Sequence, residues 1–362
     1  MAGVADETIQ DQAAIFRGTA GDAATLAGDA LKEKGSVQGT PAAAMPAFVL
    51  GEELACLADG DPRIVVMTAD LASANRTSDF RARHPDRFFD VGIAERNMIT
   101  AAAGMASCGL VPFAATFASF CGILAAEQIR TDCAYPRMKV RVVGHHSGFS
   151  MGFYGTSHHA LEDLGMMRTV ADLTVVCAAD ANQLRAILAA AIDHPGAMYL
   201  RLGRGRDPEV YAAPPADFRF GVAATLREGS DLTIITTGSE VRASLDAAAA
   251  LAAEGLSVRV VDMHTIRPID AEAVRRAAVE TGAILTVEEH NVTGGLGSAV
   301  AEVIAGLPLD MPRIAFRRHG VPDEFVPVGP PAALYAHYRL DAPGIAAVAR
   351  EFAADRPAPT AN

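Results

Sequence analysis

The chain has 362 residues, of which 50% are hydrophobic and 20% charged, enough for about two domains that each bury a full core. Thirty-one Lys and Arg against 43 Asp and Glu give a net charge of −12, which argues against nucleic acid as a main partner. The apolar residues come in short runs broken by charge rather than in a membrane span, and the acidic start of residues 1–7 lacks the order of a signal peptide, so a cytoplasmic protein is expected.

Residues 1–42 are rich in Ala, Asp and Gly and read as an extension outside the main core, with a weak helix over 11–31. From residue 43, short β-branched runs alternate with alanine-rich helical stretches. The continuous apolar run at 64–67 predicts a strand buried on both faces. Further strands are predicted at 88–91, 111–114, 140–143, 174–177 and 198–200, with helices at 95–107, 122–133 and 181–192, the last capped by Asp180. Such alternation implies a mainly parallel sheet covered on both faces.

Residues 203–217 break the pattern with Pro208, Pro214 and Pro215 and read as a linker. A second unit follows. It has strands at 232–237, 258–261, 283–287 and 314–316, a helix over 240–254 that Ser239 can cap, a helix from Pro268 and Asp270 to Gly282, and another after Gly294-Gly295-Leu296-Gly297. The fold class is therefore α/β, with two doubly wound, mainly parallel-sheet domains. The divisions are an extension at 1–42, a first domain at 43–205, a linker at 206–219 and a smaller domain at 220–362. Cys56, Cys108, Cys121, Cys133 and Cys177 form no metal-ligand or disulfide spacing and read as small buried hydrophobes.

Four segments can carry chemistry. Asp90-Val91-Gly92-Ile93-Ala94-Glu95-Arg96-Asn97 places a carboxylate at a helix start just past a buried strand, facing the crevice where open α/β sheets bind ligands. Taken alone, Glu95 reads first as a residue complementing the helix dipole. Thr116-Phe117-Ala118-Ser119-Phe120 ends the next strand with two aromatics that could stack on a planar ring or simply fill the core. Residues 144–159 form a glycine-rich loop with four of the ten histidines within 15 residues, a composition suited to binding and proton relay. Tyr199-Leu200-Arg201-Leu202-Gly203-Arg204 ends a strand with guanidinium groups able to grip phosphate or carboxylate, or to sit in solvent.

In this order, together with Thr68-Ala69-Asp70-Leu71 and Val287-Glu288-Glu289-His290, these segments resemble the C-terminal half of the transketolase family over roughly 45–345. The resemblance implies a thiamine-diphosphate pyrimidine-binding domain followed by the family's C-terminal domain. Glu95 would contact N1′ of the aminopyrimidine and favour its imino tautomer. Phe120 would stack on the pyrimidine with Phe117 beside it, and Asp70 and Leu71 would lie near the thiazolium and diphosphate. His145 and His158 match substrate histidines and Arg201 a phosphate-binding arginine, while Tyr154 stands where sugar-phosphate enzymes carry an acidic residue.

The Gly-Asp-Gly motif and following Asn that hold Mg²⁺ and diphosphate in the family are not found. The resemblance therefore implies one subunit of a split transketolase that transfers a two-carbon ketol unit from a ketose to an aldose. The N-terminal, pyrophosphate-binding subunit would supply most of the Mg²⁺ site, in an α2β2 assembly. Tyr154 leaves the substrate open among an unusual ketose, a sulfosugar, an apulose-type phosphate and a biosynthetic intermediate. Three rival readings are a 2-oxoacid dehydrogenase β subunit, a deoxyxylulose-phosphate-synthase-like enzyme and a non-catalytic scaffold.

Overall fold

The computed structural model describes residues 46–204, 207–308 and 314–355. The expected extension and its weak helix lie outside the described residues. The first unit opens with α1 (Pro46–Gly60), β1 (Ile64–Thr68), α2 (Ser78–Arg83), β2 (Phe88–Asp90), α3 (Glu95–Ser107) and β3 (Val111–Phe117). Irregular helical turns then lead to β4 (Arg141–His145), followed by α4 (Asp163–Arg168), β5 (Thr174–Cys177), α5 (Ala181–Ala191) and β6 (Met198–Arg201). Every residue of β1, β3, β4, β5 and β6 is buried, as continuous apolar runs require when helices cover both faces of a sheet.

The second unit contains β7 (Ala224–Arg227), β8 (Leu232–Thr236), α6 (Glu240–Ala253), β9 (Val258–Asp262), β10 (Thr265–Arg267), α7 (Ala271–Glu280), β11 (Ala283–Asn291), α8 (Leu296–Ala305), β12 (Ala315–Val321), α9 (Pro331–His337) and α10 (Ala342–Ala354). Its five-stranded sheet runs in the order β12-β11-β8-β9-β7, parallel except for β7 against β9. The first sheet has seven strands in the order β10-β5-β6-β4-β3-β1-β2. Its outermost strand, β10, comes from the second unit and pairs antiparallel with β5. One apolar cluster also spans both units, joining Met67, Ile99 and Val142 to Val261, Ile266 and Val274.

Several local expectations change. Residues 120–134 do not form one regular helix: π-helical turns at Phe120–Leu124 and Ile129–Ala134 flank a short α-turn. A side chain at Gly122 would lie 2.9 Å from Asp163 Cβ, so the close approach of these turns to α4 requires glycine there. The proline-rich stretch is fastened rather than loose, because Asp180 Oδ2 accepts from the backbone N–H of Val210 and Tyr211, each at 2.7 Å. Asp180 also caps α5 as expected, accepting from Gln183 N. Ser239 makes no cap bond to α6 and instead donates to Glu289 at 2.8 Å. Cys121, Cys133 and Cys177 are buried as expected, but Cys56 and Cys108 face solvent.

Candidate active site

The carboxyl ends of the parallel strands carry the site residues. β1 ends at Thr68, and the chain turns through Asp70 at a φ of 58° with its N–H donated to Asp90 Oδ1 at 2.9 Å. Asp70 is exposed and Leu71 half-buried at this turn. Beyond β2, Gly92 takes a φ of 73° and lets the backbone swing into α3, whose first residue is Glu95. Glu95 is 8% exposed, a carboxylate at the positive end of a helix dipole that still reaches an open pocket. Ile93, Ala94, Arg96, Asn97 and Leu124 line that pocket with it. Ile93 is 82% exposed, an apolar side chain left at the pocket mouth.

Leu124 closes the π-helical turn that Phe120 opens, so this turn links the Glu95 pocket to an aromatic cluster on the next strand ends. Phe117, at the end of β3, lies at the centre of the cluster. Its ring centroid stands 5.4 Å from Phe120, 5.1 Å from His145, 4.9 Å from His146 and 5.6 Å from His158. Phe120 reaches His158 at 5.3 Å, and Tyr154, 60% exposed, covers the outer side of His158 at 4.8 Å. Thus Phe117, Phe120, His145, Tyr154 and His158 converge although they span 42 residues of sequence.

His146 belongs to the same group and has no separate role in the sequence reading. Its φ of 57° follows the end of β4 and turns its ring back onto Phe117. The Nδ1 atoms of His145 and His146 are 2.6 Å apart, so one ring donates and the other accepts, and a single proton serves that contact. Burial pushes the His145 imidazole down to about 3. Burial also lowers His146 well below its ordinary value, with help from the charges of His145, Arg204, Arg76 and His158. Burial alone lowers His158, whose Nδ1 is 2.8 Å from Ser157 Oγ. These rings are neutral imidazoles at pH 7, able to accept as well as donate. The Nε2 of His145 is buried without a protein partner among the described residues.

Arg201 does not join the cluster. It is 3% exposed, donates to Asp163 Oδ2 at 2.8 Å, and gives further bonds to the carbonyls of Ala160 and Glu289, each at 2.9 Å. With its side chain tied across the domain boundary, it is an interdomain clamp rather than a phosphate grip. The arginines whose charge bears on His146 are Arg204 and Arg76, and Arg204 also donates to the Ser150 carbonyl at 3.3 Å. Arg204 lies three residues past Arg201 in the strand-end segment already singled out, and the sequence alone did not show which of the two turns to the site. Arg76 gives no local signal, because a φ of 58° sets its direction.

The donor set suits an aminopyrimidine: a carboxylate at a helix start, a pair of phenyl rings and an unpartnered buried imidazole nitrogen. Among the described residues, no three His, Cys, Asp or Glu side chains are grouped to hold a metal ion. No helix among them is long and apolar enough to cross a membrane.

Residues 45–208 match the family model of the transketolase pyrimidine-binding domain, and residues 221–345 match that of the transketolase C-terminal domain. The chain is 38% identical over 296 residues to one of the subunits of the apulose-4-phosphate transketolase of Phocaeicola vulgatus, covering 82% of this chain and 93% of that one. It is also 38% identical over 294 residues to the 6-deoxy-6-sulfo-D-fructose transketolase subunit SqwH of a Clostridium species, covering 81% and 90%. It spans half the length of 1-deoxy-D-xylulose-5-phosphate synthase 1 of Geobacter sulfurreducens, at 36% identity over 325 residues. Among solved structures, a split-gene transketolase described as an inactive beta4 tetramer superposes with a TM-score of 0.77 and 41% identity, covering 85% of this chain and 97% of that one. The chain belongs to the transketolase family and carries its pyrimidine-binding and C-terminal domains.

Proposed function

We propose that this chain is the second subunit of a two-chain transketolase and transfers a two-carbon ketol unit from a ketose donor to an aldehyde acceptor. Thiamine diphosphate supplies the nucleophilic carbon and electron sink when bound. The observation that carries the reading is the joint placement of Glu95, at a helix start, and the Phe117–Phe120–histidine cluster on adjoining strand ends. Glu95 would accept a hydrogen bond from the aminopyrimidine and govern where its proton rests. Phe120 and Phe117 would present their faces to the ring. His145, His146 and His158, uncharged, would bind donor and acceptor hydroxyls and pass protons between them.

Arg204 and Arg76, beside His146, suit an anionic end group on the substrate, a phosphate or a sulfonate. The apulose-4-phosphate and 6-deoxy-6-sulfo-D-fructose of the relatives' names both carry such a group and are the first donors to test. The diphosphate and Mg²⁺ would be held mainly by a pyrophosphate-binding partner subunit in an α2β2 complex, because the described residues offer a pyrimidine site without a grouped set of metal ligands.

The test is reconstitution with the pyrophosphate-binding subunit, thiamine diphosphate and Mg²⁺, followed by a panel of ketose donors with an aldose phosphate acceptor. Exchange of a two-carbon unit supports the reading. Decarboxylation of 2-oxoacids without ketose cleavage would overturn it in favour of a 2-oxoacid dehydrogenase or deoxyxylulose-phosphate-synthase type. A complex with neither activity but intact assembly would point to a scaffold.

A further inference from the structure

The histidine loop runs from the end of β4 to the start of α4 in the first domain, yet the second domain holds much of its backbone. Its neck closes where Gly148 and Ala160 exchange backbone bonds at 3.1 and 3.2 Å. Phe149 and Leu161, at the two sides of that neck, are buried in the apolar cluster of the second domain with Leu285, Val287 and Leu334. The Phe149 ring stacks on Tyr338 at 5.5 Å and meets Tyr335 edge-on at 5.3 Å. Further along the loop, the Gly152 carbonyl accepts from Gly329 N at 3.0 Å, and the Leu161 carbonyl accepts from Asn291 N at 2.9 Å.

The polar centre of this attachment is Glu289, on β11 and 2% exposed. Its Oε1 accepts the Phe149 N–H at 2.8 Å and the Tyr335 hydroxyl, while its Oε2 accepts the Ser239 hydroxyl at 2.8 Å. Gly148, at a φ of 59°, leaves no room for a side chain, since a Cβ there would stand 1.9 Å from the Glu289 carboxyl carbon. Arg201, held by Asp163, donates to both the Ala160 and the Glu289 carbonyls and so ties the loop neck to β11 from the other side. Burial raises the Glu289 carboxyl, opposed by the Arg201 charge and by the bonds donated from Tyr335, Phe149 and Ser239, and burial with the charges of Glu289 and Asp207 pushes Glu240 well up.

We propose that the C-terminal domain acts as a splint for the histidine loop, and that Glu289 is the positioning residue that sets where His146 and His158 stand. The carboxylate touches no reacting group. It fixes the backbone at Phe149, three residues past His146, and the closed neck carries that constraint to His158 on the returning side. The anchoring is independent of which ketose is turned over, and only its catalytic consequence rests on the ketol-transfer reading.

Hydrogen exchange on the full chain, without partner or substrate, reads the anchoring directly. Glu289→Ala is expected to speed exchange across residues 147–160 about tenfold, the size of one lost buried hydrogen bond, while β1 and β3 keep their parental rates. Glu289→Gln is expected to restore protection, because its carbonyl oxygen still accepts from Phe149 and its amide can donate to the Ser239 oxygen. Should Glu289→Ala fail to fold, Tyr335→Phe removes one donor while keeping the ring on Phe149, with an expected local rise of about threefold. Unchanged loop exchange in these variants, or an equal rise across the whole chain, would overturn the proposal. In the reconstituted complex, kcat should fall about 10²-fold in Glu289→Ala, as for a group misplaced by about 1 Å, with KM less affected and the Gln variant restoring turnover. If that complex lacks ketol transfer altogether, the exchange result still decides the anchoring.

Discussion

Glu95 and the histidine loop follow β2 and β4 of the same sheet, yet they are built differently. Glu95 stands on a regular helix whose buried residues Met98, Ile99, Ala102 and Ala103 anchor it in the apolar cluster shared by the two units. The histidine loop has little regular structure of its own and borrows Glu289, Asn291, Gly329 and an aromatic socket from the second domain. The acid proposed to address the cofactor is thus held by the apolar packing of its helix, whereas the loop proposed to address the substrate is held by hydrogen bonds and ring contacts from the second domain. With the roles proposed above, such a division would keep the shared chemistry constant and let substrate recognition change through a surface that is not itself in the site.

The contrast breaks most visibly at Glu95. Replacing it by Gln should lower turnover of the reconstituted complex about 10²- to 10⁴-fold, the usual size of proton-transfer assistance, while the urea midpoint stays at the parental value. A stability loss in step with the activity loss would place Glu95 among the fold's supports instead. Arg201→Met should strike the fold as well as the loop neck it ties, leaving Asp163 buried without its ion-pair partner and costing about 3–5 kcal/mol of stability, read as a shift of the urea midpoint.

Acid should act on the buried imidazoles. His145 and His290 are lowered by burial to about 3 and about 4, against 6.5 when unfolded. The unfolded chain therefore binds more protons below about pH 6.5, so the contribution is complete above that pH and is lost as pH falls towards the folded values, at about 1.4 kcal/mol per pH unit and group. Thermal midpoints between pH 7.5 and 5 measure it, and His145→Asn should flatten the slope. Tyr154→Ala, which strips an exposed ring from His158, should change KM by no more than about tenfold, the worth of one ring contact. The smallest effect is expected at the cap of α7, where Asp270→Ala frees the Ala273 N–H and costs about 1 kcal/mol in denaturant unfolding.

Much of this was legible in the residues. Apolar runs marked β1, β5 and β8 because double burial leaves a continuous signature, and Asp180 and Asp270 marked helix starts through their cap chemistry. Phe117 was legible because it ends such a strand, and Glu95 as an acid at a helix start, although the strand before it, β2, is a largely exposed edge strand and not the buried one expected. The roles of Arg201 and Arg204 were not, since two guanidinium groups three residues apart differ only in which way the chain turns after β6. His146 was hidden by its neighbour: a positive φ separates the two rings, and nothing in an adjacent pair of histidines announces it. The π-helical turns escaped for a related reason, because their irregularity answers to the approach of α4 at Gly122 and not to any local period.

Thr265–Arg267 closes the side of β5 that would otherwise present unpaired amides and carbonyls. Severing the polypeptide between its two units would strip that cover and leave a raw margin inviting intermolecular pairing. The halves should therefore melt in one transition, and an isolated first half should aggregate rather than persist as a free module.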